Sequence, residues 1–138
     1  MIRTKMTIKD IQQEFEQCPF FLHLGLNMVN FEEGNVVVKI SVEEYLKNTH
    51  GTLHGGVIAS ILDFIQCMQI RSVIDCSCLT LNLNTQYFAS VSEGYLYASA
   101  TILSNGFKTA FAEGILTDEQ GNLVAKGTGN FKLVRTEK

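Results

Sequence analysis

"NTHGTLHGGVIASILDF" spans Asn48 to Phe64, and the fold of the chain turns on how it is read. The stretch begins polar and glycine-rich. After His54-Gly55-Gly56 it becomes almost wholly apolar, with one carboxylate, Asp63, in the run. The apolar character continues to Ser72 and lies on nearly every helical face, which predicts a helix buried all round. Its length and the glycine pair ahead of it favour helix over strand.

Upstream, "TIKDIQQEFEQC" (7–18) carries Ile8, Ile11, Phe15 and Cys18 at helical spacing, with Thr7 as N-cap and Pro19 as its stop. "FLHLGLNMVNF" (21–31) and "GNVVVKISV" (34–42) read as strands joined by a turn at Glu32-Glu33-Gly34. Downstream, turn residues at 104–106 and 118–122 separate four strand candidates: 78–88, 94–103, 107–117 and 123–134. The second alternates, with Leu96, Ala98, Ala100 and Ile102 on one face and Tyr95, Tyr97, Ser99 and Thr101 on the other. One buried helix among such strands predicts an α+β fold with the sheet wrapped on the helix. Residues 1–138 read as one domain, 1–20 being an N-terminal helix and lead-in.

Composition narrows the function. Hydrophobic residues make up 46% and charged residues 18%, which suits a packed globule. The net charge is −3 and no Lys/Arg-rich block occurs, so a nucleic-acid partner is not expected. "MIRTKMTIKD" lacks the apolar core of a secretory signal, and no unbroken apolar run approaches membrane-spanning length. A cytoplasmic protein without a membrane partner is the expectation. Cys18, Cys67, Cys76 and Cys78 have no zinc-ligand spacing, so they read as reduced, partly buried thiols with no metal.

The chemistry gathers around His54. A helix N-terminus offers free N–H groups and a partial positive charge. Glycines there let a ligand carbonyl approach the backbone, the geometry of an oxyanion hole. Asn48 and His54 add side-chain hydrogen-bonding capacity. Asp63 lies eight residues past Gly55, about 12 Å along a helix axis, so the two do not serve one carbonyl within a chain. A symmetric partner chain could bring its Asp63 to this Gly55.

The pattern Asn48, Gly51, His54-Gly55-Gly56 and Asp63 resembles the signature of the hotdog-fold acyl-CoA thioesterases, in the phenylacetic-acid-degradation and 4-hydroxybenzoyl-CoA-related branch. "GNLVAKGTGNF" (121–131) is similar to that family's last strand. The resemblance covers about Gly25 to Val134. It implies a curved antiparallel sheet around one long central helix, edge-to-edge homodimers or homotetramers, and sites shared between subunits. It implies that the Gly55 N–H polarises a thioester carbonyl, with Gly56 beside it in the substrate site. By the same resemblance, Asn48 and His54 would help hold the substrate, Asp63 from the other subunit would act as general base or nucleophile, and Thr80 would assist the water. Lys108 falls where relatives place cations for coenzyme A phosphates. No cofactor is implied. Phe64, Gln66 and Met68 are bulkier than the small residues usual after the acid.

Each residue also has a plainer reading. Asp63 could cap a loop or pair with a cation, although a lone carboxylate in an apolar helix costs several kcal/mol unless solvated or paired. His54 could pack in the loop, Asn48 could bond its own backbone, Thr80 could fill a strand, and Lys108 could be solvated. His23 and His50 belong to no constellation, and Tyr95 and Tyr97 read as a packing face. At the level of function, the alternative to a thioesterase is a non-catalytic acyl-CoA-binding module. A hotdog dehydratase or hydratase would need a different histidine and acid arrangement.

Overall fold

The structure is a computed structural model and describes residues 5–135. Helix α1, Ile8–Glu16, starts where expected. Thr7 accepts from the Asp10 N–H at 3.1 Å while Asp10 accepts from the Thr7 N–H at 3.0 Å, a reciprocal cap. The Thr7 backbone bond holds the Asp10 carboxyl below its ordinary pKa. Ile11 and Phe15 are the buried face of α1.

The expected strand 21–31 is corrected. Its first half is a second helix, α2, Pro19–Leu24, and only Asn27–Glu32 forms strand β1. Pro19 stops α1 but also opens α2, because the first helical position needs no N–H. Phe21 and Leu24 are buried while Phe20 and Leu22 are exposed, a helical rather than alternating pattern. Gly25 closes α2 at φ +75°, a left-handed conformation that glycine adopts without strain.

Strands β2 (Asn35–Ser41), β3 (Cys76–Tyr87), β4 (Tyr95–Asn105), β5 (Thr109–Asp118) and β6 (Leu123–Arg135) complete one antiparallel sheet in the order β1-β2-β4-β5-β6-β3. The long helix α3, Gly55–Val73, lies in its curve. Ile61, Leu62, Ile65 and Met68 of α3 are fully buried against Val38, Leu96, Ala98, Leu116 and Ala125. The helix sits close to the sheet: a Cβ on Gly127 would stand 3.3 Å from Leu62, and one on Gly114 would stand 3.1 Å from Ile65.

One expectation about α3 changes. It is not buried all round. Gly56 is exposed and Ser60, Asp63 and Cys67 are half-buried, and their spacing of three to four residues forms one stripe. The sheet ends at β3 and leaves that stripe only partly covered. Asp63 is therefore less costly than a buried carboxylate would be. Also, α3 is long and apolar enough to cross a membrane by length and composition, at a mean hydropathy of 1.2. Its apolar residues pack inside the sheet instead.

Candidate active site

The loop before α3 is built by Asn48. Its Oδ1 accepts from the His50 N–H at 2.9 Å and the Thr52 N–H at 3.1 Å, and its Nδ2 donates to Thr52 Oγ1 at 2.9 Å. The plainer reading of Asn48 thus has direct geometry behind it. Gly51 takes φ +81° in the same loop, which an L side chain rarely adopts. The His54 N–H donates to the Leu46 carbonyl at 2.9 Å and sets where the helix begins.

His54 is the N-cap of α3. Its Nδ1 accepts from the Gly56 N–H at 2.8 Å. Nδ1 is therefore unprotonated in the neutral ring, and the proton sits on Nε2, leaving an N–H donor. The Gly55 N–H, first in the helix, has no acceptor among the described residues. The sequence reading missed Tyr87, whose Oη donates to the Gly55 carbonyl at 2.8 Å and whose ring packs over Gly55.

Eight residues on, Asp63 faces β3. Thr80 Oγ1 donates to Asp63 Oδ1 at 2.7 Å. Asp63 has no ion-pair partner among the described residues. The structure thus brings together His54, Gly55 and Gly56 at one end of α3, and Asp63 with Thr80 further along the helix. It does not bring Lys108 to His54. Lys108 is exposed in the β4–β5 turn, where its carbonyl accepts from the Leu133 N–H at 2.8 Å. That turn stands near the C-terminal end of α3, where Arg71 bonds the Cys76 carbonyl at 2.8 Å and Cys76 pairs with Arg135. Lys126 is paired with Glu113 at 2.7 Å, and Arg135 stacks on Phe107.

Two clefts meet at His54. One, of about 280 Å³, is mostly apolar and is lined by Phe20, Leu24, Tyr45, Leu46, Val57 and Ser60 among others. Tyr45 is fixed there by donating to the His23 carbonyl at 2.9 Å. The second, of about 360 Å³, is lined by Lys47, Asn48, Thr49 and His54. The residues that α2 supplies to the apolar cleft were not legible while 21–31 was read as a strand. No His/Cys/Asp/Glu group among the described residues could hold a metal. The four cysteines are free. Hydrogen bonding to Cys78, then burial, pushes the Cys76 thiol pKa up, and hydrogen bonding to Cys67 with burial does the same for Cys78.

A curved antiparallel sheet closed around a single long helix is the hotdog fold. The Escherichia coli PaaI protein from the phenylacetic acid degradation operon shares it at TM-score 0.85, with 19% identity and 93% of each chain covered. Zebra fish thioesterase superfamily member 2 matches at TM-score 0.82 and 28% identity, over 93% of this chain and 99% of that one. Human acyl-coenzyme A thioesterase 13 is 30% identical over 105 residues, 74% of this chain and 75% of that protein. The family model described as Thioesterase superfamily matches residues 50–125, more than half of the sequence. The chain belongs to the thioesterase superfamily.

Proposed function

We propose that this protein hydrolyses an acyl-CoA thioester to the free acid and coenzyme A, at sites shared between two copies of the chain. The observation that carries the reading is the Asp63 carboxylate. Thr80 occupies one of its oxygens, the other has no partner among the described residues, and no cation pairs with it. A carboxylate so placed on an open stripe is available to a substrate. The partner subunit's Asp63 serves the thioester bound at this chain's Gly55. It acts either as general base on water or as nucleophile on the carbonyl carbon. The Gly55 N–H stabilises the oxyanion as the tetrahedral centre forms. Collapse breaks the C–S bond and the thiolate leaves as coenzyme A, taking up the proton that the water gives. On the base route the free acid forms in this step. On the nucleophilic route a water then hydrolyses the acyl–Asp63 anhydride to the free acid and restores the carboxylate. The His54 Nε2–H is the donor that holds the thioester region. The edge strand β3 and the partly covered stripe of α3 support pairing of two copies, since an unpaired edge seeks a strand.

The test is a thiol-release screen across short, long and aromatic acyl-CoAs with the wild-type protein and Asp63→Asn. Turnover by wild type and a loss of at least about 100-fold in the variant are expected. Acyl-CoA binding without turnover by wild type would make the binding module the better account. Equal turnover per folded molecule in the variant would end the role of Asp63.

A further inference from the structure

The peptide unit between Gly55 and Gly56 is held at both ends by side chains. Its N–H donates to His54 Nδ1 at 2.8 Å, and its carbonyl accepts from Tyr87 Oη at 2.8 Å. One clamp comes from the residue before the helix and the other from the last residue of β3. The site needs this double hold. Two successive glycines at a helix start are the residues least able to fix their own backbone, and fraying concentrates in the first turn. The Gly55 N–H belongs to the preceding peptide and is joined to the clamped one through the Gly55 Cα alone. Fixing the second plane therefore restricts the direction of that N–H. The Tyr87 ring adds a steric stop: a Cβ on Gly55 would lie 3.4 Å from its Cε1 and Oη.

The geometry points to Tyr87 as a positioning residue that aims the Gly55 N–H at the developing oxyanion. This rests on the thioesterase reading. Tyr87 does not touch the reacting atoms; it acts through Gly55. Because an oxyanion forms only as the reaction proceeds, aim matters more to the transition state than to ground-state binding.

The experiment is steady-state thiol release by Tyr87→Phe and Tyr87→Leu, alone and combined with Gly55→Val, with thermal midpoints on the same preparations. Tyr87→Phe keeps the ring and loses the hydroxyl. It should lower kcat by about 5- to 10-fold, the scale of one neutral hydrogen bond, with KM within about twofold because uniform binding is untouched. Tyr87→Leu should lower kcat further. In the Gly55→Val background, Tyr87→Phe should have almost no added effect, since residues acting through one another are not additive. An unchanged kcat for Tyr87→Phe, a kcat loss matched by loss of folded protein, or full additivity with Gly55→Val would each overturn the proposal. Absence of thiol release by wild type would instead overturn the thioesterase reading on which it rests.

Discussion

Thr80 Oγ1 stands 2.7 Å from Asp63 Oδ1, and this bond joins the central helix to the edge strand. It fixes one carboxylate oxygen and leaves the direction of the other determined. Hydrogen bonds to a charged acceptor are worth about 1.5–3 kcal/mol, enough to hold a side chain that water can reach.

Thr80→Val should therefore lower turnover by roughly tenfold or more, because the carboxylate loses its orientation. Thr80→Ser keeps the hydroxyl and should stay near wild type. Valine preserves the branched shape and strand preference, so the thermal midpoint should move little. Thiol release and thermal unfolding on the three proteins check this. Equal activity in Thr80→Val would return Thr80 to ordinary strand filling.

The proposed mechanism gives His54 two separable jobs. Its Nδ1 caps α3 through the Gly56 N–H, and its side chain lines both clefts, where the proposed mechanism uses the Nε2–H. His54→Ala should lose both, with about 1 kcal/mol of stability gone with the cap. His54→Asn can cap with its side-chain oxygen and should recover most of that stability without recovering turnover. Urea unfolding and thiol release, compared across the pair, separate the two roles. Recovery of turnover along with stability would make His54 a cap alone.

The helix α3, the β2 and β4–β6 strands and the Thr7 cap were legible because periodicity, glycines and capping residues all agreed locally. Three features were not. Residues 21–31 are apolar at too many positions for their period to be unambiguous, and Pro19 both stops one helix and starts the next. The open stripe of α3 depends on where the sheet ends, which no local pattern records. Tyr87 was hidden by a register shift between Thr80 and Asn82. Strict alternation from Thr80 would send Asn82, Asn84 and Gln86 inward. The shift instead places Tyr87 opposite the buried Ala125, beside Gly55. The His54-Gly55-Gly56 and Asp63 constellation was visible as spacing, whereas the Thr80 contact required the strand.

The thiols make a pH prediction. Cys76 and Cys78 have raised pKa values through hydrogen bonding with neighbouring thiols and burial. Both therefore stay protonated in the folded chain at pH 8, and only a thiolate alkylates readily. Iodoacetamide at pH 8 should leave both unmodified until denaturant is added. The sign for stability follows. The folded state favours the neutral thiol, so its contribution is complete below the unfolded value of 9.0 and is lost as pH rises past it. Rapid native-state alkylation at Cys76, read by peptide mass, would contradict the buried assignment.

The shared site gives the most demanding prediction. Gly55 and Asp63 are about 12 Å apart along one helix, so under the proposed mechanism each site takes Gly55 from one copy and Asp63 from the other. Gly55→Val disables the oxyanion donor and Asp63→Asn disables the carboxylate, so each homodimer should be nearly inactive. In a mixed dimer the two lesions fall in the same site, and the second site receives an intact Gly55 and an intact Asp63. Random reassortment makes half of the dimers mixed, each with one good site, so about a quarter of wild-type activity should return. The experiment mixes the two variants after mild denaturation and refolding, and measures thiol release alongside light scattering. Refolding each variant alone is the control and should recover nothing. If mixing restores no activity while the dimers re-form, the carboxylate and the oxyanion donor do not meet across subunits. If a monomer is active at assay concentration, the shared site itself fails.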